Sequence, residues 1–60
     1  MNSFIEAQIR SMLLYTQQFE NACRLAAVKD DGAVSKEEQK LLAAIHRAVA
    51  RFSKDLEHLT

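Results

Sequence analysis

The stretch KDDGAVSKEE, Lys29 to Glu38, places carboxylates, a hydroxyl and a glycine at spacings that a calcium loop uses. An EF-hand loop takes oxygen ligands at its places 1, 3, 5, 7, 9 and 12, with glycine at 6 for the sharp turn. With Gly32 at place 6, Asp31, Ser35 and Glu38 fall on 5, 9 and 12, and the apolar Val34 falls on 8. Places 1 and 3 are then Ala27 and Lys29. Two carboxylates are missing and a cation is added, so the charge that holds Ca²⁺ is largely gone. An EF-hand-like ion sensor is the least favoured function.

The remaining reactive side chains are equally scattered. His46 and His58 stand twelve residues apart on one predicted helix, about 18 Å along its axis, too far to share a metal. Ser3, Ser11, Ser35 and Ser53 have no histidine and carboxylate in a nucleophile-activating arrangement, and no glycine-rich phosphate loop is present. Cys23 is the single cysteine; an intrachain disulfide is impossible, and on an apolar helix face it reads as a small hydrophobe. The expectation is a protein that is not an enzyme, with no metal site and no cofactor.

The elements that carry these residues are helical. The chain has no proline, one glycine, and an abundance of Ala, Leu, Glu, Gln, Lys and Arg, the strong helix formers. Eight basic and eight acidic residues cancel, so no global field draws nucleic acid or an acidic membrane. No signal-peptide pattern and no apolar run of about 20 residues occurs, which predicts a cytoplasmic protein without a membrane span. At 60 residues a single domain is the ceiling, and folding buries only about 60% of the unfolded surface.

Apolar spacing predicts helix 1 over about 3–29, a turn over 30–35 and helix 2 over about 36–59. Steps of three and four run through Ile5, Ile9, Met12, Thr16, Phe19, Cys23 and Ala26, then resume as Leu42, Ile45, Val49, Phe52, Leu56 and Leu59. Matched lengths and a short connector predict an antiparallel all-α hairpin. Its expected core is Ile5, Ile9, Met12, Phe19, Leu42, Ile45, Val49, Phe52 and Leu56. In the turn, Gly32 suits the left-handed conformation that closes a helix, and Asp30 and Asp31 mark a stop and a restart. Ser35 and Glu38 have capping-box spacing, with Val34 placed to staple onto the first turn of helix 2.

The two outer faces differ. Helix 2 carries Lys40, Arg47 and Lys54 at seven-residue intervals with Arg51 beside them, a row that could meet phosphates. Glu37, Asp55 and Glu57 interrupt its flanks and no aromatic lies within it, so a solvated face is favoured over a nucleic-acid contact. Ala43, Ala44, Ala48 and Ala50 permit close helix approach. Helix 1 carries a second apolar set besides its seam, for which Phe4, Leu14, Leu25 and Val28 are the expected intermolecular face.

The segments QQFENA, Gln17 to Ala22, and LLAAIHRA, Leu41 to Ala48, resemble the small two-helix co-chaperones of bacterial type III secretion. That resemblance implies a hairpin whose apolar faces cover the helices of another protein. The overall plan is also similar to that of Rop, an RNA-binding hairpin that dimerises into a four-helix bundle, although no Rop motif is present. The expected function is a non-catalytic adaptor or chaperone, coiled-coil in character, whose partner is another protein or a second copy of itself. A Rop-like regulator using the basic row is the alternative.

Overall fold

A computed structural model describes residues 2–29 and 32–59. Among these residues the chain is an all-α hairpin: α1 spans Ser3–Lys29 and α2 spans Lys36–Glu57, with no strand. The first turn of α1 is closed by Asn2, whose Oδ1 accepts from the backbone N–H groups of Phe4 (2.7 Å) and Ile5 (3.3 Å), two donors that the helix itself leaves without acceptors. At the far end of α1, Gly32 holds φ at 78° and donates its N–H to the carbonyl of Val28 (2.8 Å), the bond that closes a left-handed helix cap. The expected stop and restart at Asp30 and Asp31 lie outside the described residues.

The capping box at the start of α2 is complete. Glu38 N–H donates to Ser35 Oγ (3.1 Å), and Ser35 N–H donates to Glu38 Oε1 (3.0 Å). Gln39 Nε2 donates to the Val34 carbonyl (3.4 Å), fixing the chain's entry into the helix. α2 ends at Glu57, two residues before the expected limit. The N–H of Leu59 turns to the carbonyl of Leu56 (3.0 Å), a tighter three-residue closure that leaves His58 as the cap.

Among the described residues, side-chain hydrogen bonds join the helices at Thr16 to Ser53 and at Glu20 to His46. Residue numbers rise on α1 as they fall on α2, so the helices are antiparallel. At 27 and 22 residues they are about 40 Å and 33 Å long, and the start of α1 projects past the end of α2. The fold is a single layer, with Cα extents of 46 × 17 × 7 Å. Its radius of gyration is 14.3 Å, against about 10 Å for a compact chain of this length.

The side of α1 turned toward α2 is Glu6, Ile9, Leu13, Thr16, Glu20, Cys23 and Ala27, each at least half-buried relative to its neighbours and alternating in steps of three and four. α2 answers with Glu38, Leu42, Ile45, Val49, Ser53 and Leu56. Among the described residues Ile9 alone is buried, at 9% exposure. On α1 this inner seam keeps Ile9, Thr16 and Cys23 of the expected one and takes Glu6, Leu13, Glu20 and Ala27 in place of Ile5, Met12, Phe19 and Ala26, a rotation of about half a residue. Ile5, Met12 and Phe19, expected in the hairpin core, are exposed at 54%, 43% and 56%, and Phe52 is exposed at 45%. The half-buried Leu13 and Glu20, each one residue on from Met12 and Phe19, take their places toward α2, with the Glu20–His46 link fixing the rotation, and Ile5 stands where α1 overhangs α2. Leu42, Ile45, Val49 and Leu56 are half-buried against α1.

Candidate functional site

The rotation of the inner seam uncovers a second one. Ile5, Gln8, Met12, Tyr15, Phe19, Ala22 and Ala26 also alternate in steps of three and four, each one residue away from its counterpart in the inner seam, and all are exposed. No charged side chain interrupts them. The inner seam contains two glutamates, a threonine, a cysteine and an alanine, so the outer seam is the more apolar of the two.

α2 extends this surface. An apolar groove of about 310 Å³ opens near the turn, lined by Cys23, Ala26, Ala27, Leu41, Leu42 and Ile45, with Glu38 at its rim. Because Ala26 and Leu41 line the same groove, the outer seam of α1 and the Leu41 flank of α2 lie on one side of the hairpin. Leu41, Ala44, Ala48, Phe52 and Leu59 share that flank by helical spacing with Glu37 and Asp55, and all are exposed. The opposite edge of the inner seam carries a polar link. There Glu20, with its side chain 14% exposed, accepts from His46 Nδ1 (2.9 Å) and from the Arg24 guanidinium one turn along α1. The hydrogen bond from His46 is the main reason that the Glu20 carboxyl is held below its usual range, opposed by partial burial and reinforced by the charges of His46 and Arg24. Thr16 Oγ1, which also donates to the Leu13 carbonyl (2.8 Å), lies 3.3 Å from Ser53 Oγ.

The residues expected to meet a partner divide between these sides. Phe4 is 81% exposed on the overhanging first turn, and Leu14, Leu25 and Val28 are exposed along the back of α1, away from the outer seam. Lys40, Arg47 and Lys54 form an exposed row along the outer edge of α2, about 10 Å apart, and Gly32, Ser35 and Glu38 build the turn and cap described above. Ala27 and Lys29, at the first two ligand places of the calcium pattern, belong to α1. No group of three or more His, Cys, Asp or Glu side chains among the described residues could hold a metal ion. No helix among them is long and apolar enough to cross a membrane.

Nothing in the spacing marks Glu20 and His46, 26 residues apart, as partners. No protein-family model, no curated protein and no solved structure matches the chain.

Proposed function

We propose that the chain is a protein–protein interaction module, a small adaptor or chaperone without catalytic activity, whose working surface is the outer seam of α1 together with the Leu41–Phe52 flank of α2. One observation carries this. A domain normally buries its apolar faces between at least two layers of structure, whereas this hairpin is one layer and leaves its more apolar seam uncovered. The resemblance to two-helix secretion co-chaperones falls within this class.

Photo-crosslinking tests it. A photoreactive residue at Phe19 or Met12 should give adducts, while one at Arg47, on the polar edge, should give few. Adducts concentrated at Arg47, or none at Phe19 and Met12, would overturn the reading. The mass of the adduct at Phe19 identifies what covers the seam.

A further inference from the structure

We infer that the occupant of the outer seam is a second copy of this chain, laid face to face and antiparallel, so that the overhanging start of each α1 seats over the apolar groove at the turn end of the other. The inference rests on the interaction-module reading and adds the partner and its register.

The area is right for a second copy. The chain exposes 4942 Å², whereas a compact protein of 6.8 kDa exposes about 4000 Å². The surplus, about 900 Å², is close to the ~800 Å² that each partner contributes to an interface of standard size.

The order of side-chain sizes sets the direction. Along the outer seam the large residues Ile5, Met12, Tyr15 and Phe19 come first and the small Ala22 and Ala26 come last. Close packing needs large side chains opposite small ones. Reversing one copy against the other puts large Ile5 over small Ala26 at the two ends of the seam, while around Tyr15 at the centre Met12 lies over Phe19, a flexible thioether side chain against an aromatic ring. One patch thus serves both partners, as a two-fold dimer requires. The same reversal brings each overhanging first turn, with Phe4 and Ile5, over the groove between Ala26 and Leu41 of its mate. A parallel stacking would project both overhangs at the same end and leave both grooves open. The seam carries no charge, so neither copy repels the other there.

Disulfide trapping tests partner and direction together. In a Cys23→Ala background, Ile5→Cys and Ala26→Cys proteins are mixed, unfolded, refolded together and oxidised; the mixed dimer should exceed either self-linked dimer several-fold. Met12→Cys mixed with Phe19→Cys should behave alike, and circular dichroism confirms that each variant is helical. Self-linking of Ile5→Cys at the level of the mixed pair would overturn the antiparallel arrangement. A parent chain that stays monomeric by light scattering up to hundreds of micromolar would overturn the second copy itself. Were the Phe19 photo-adduct then to have a mass other than twice the chain, the interaction module would stand and only its self-association would fall; absence of any adduct would remove both.

Discussion

Glu20 is the residue at which the inner seam departs most from a hydrophobic pattern, and its hydrogen bonds from His46 and Arg24 explain why a carboxylate is tolerated there. A folded-state pKa below the unfolded value means that ionised Glu20 stabilises the hairpin above the usual carboxylate range, and that this contribution disappears as pH falls through the lowered value. We predict that the parent loses melting temperature between about pH 6 and pH 3, and that Glu20→Gln flattens part of that loss. Equal slopes for both proteins would contradict it. Thr16 and Ser53 make the converse case. Thr16 Oγ1 gives its hydrogen to the Leu13 carbonyl and accepts from Ser53, and replacing both partners of such a pair by apolar groups of similar shape is neutral to stabilising. The double variant Thr16→Val with Ser53→Ala should therefore melt no lower than the parent, whereas Ile9→Ala, at the one buried position, should cost about 2 to 4 kcal/mol in chemical denaturation.

At the level of the elements, the caps on either side of the turn are local and specific. Ser35→Ala removes the acceptor for Glu38 N–H and is expected to cost about 1 kcal/mol. Gly32→Ala is expected to cost about 1 to 2 kcal/mol, for backbone reasons alone: φ is 78° and a Cβ there would meet nothing within 4 Å. Adding millimolar Ca²⁺ should leave the melting temperature unchanged, because the first two ligand places are Ala27 and Lys29 on α1. Both helices and the capping box were legible in the sequence, since propensity, spacing and cap chemistry are local signals. The choice of seam was not. Ile5, Met12 and Phe19 form one three-and-four series with Ile9 and Thr16 when read for hydrophobicity alone, yet they divide between two stripes one residue apart. Only the tertiary links of Thr16 and Glu20 to α2 decide which stripe faces inward. Hydrophobic periodicity locates an apolar arc well and its centre poorly when the arc is wider than one neighbour can cover.

For the whole molecule the single layer governs stability. A hairpin held by one buried isoleucine, four half-buried aliphatic residues of α2 and two polar links is marginal by itself, and the remaining apolar surface becomes useful only on association. If a second copy supplies the cover, folding is coupled to concentration and the melting temperature should climb as the protein is concentrated, by mass action. Met12→Glu with Phe19→Glu should abolish that climb and lower helicity at all concentrations. The same variant with an unchanged melting curve would mean that the outer seam has no part in holding the fold.

The two adjacent seams also make the helices unequal. α1 has a neighbour along the full length of two stripes once the outer one is covered, whereas α2 adds only its Leu41–Phe52 flank to the stripe that meets its own hairpin partner and keeps Lys40, Arg47 and Lys54 in water. Backbone amides in α1 should then exchange with deuterium slowly and together, opening only with the whole assembly. Those of α2, above all from Ser53 to Glu57, should exchange sooner through local fraying, so that α2 behaves as a removable strut on an α1 spine.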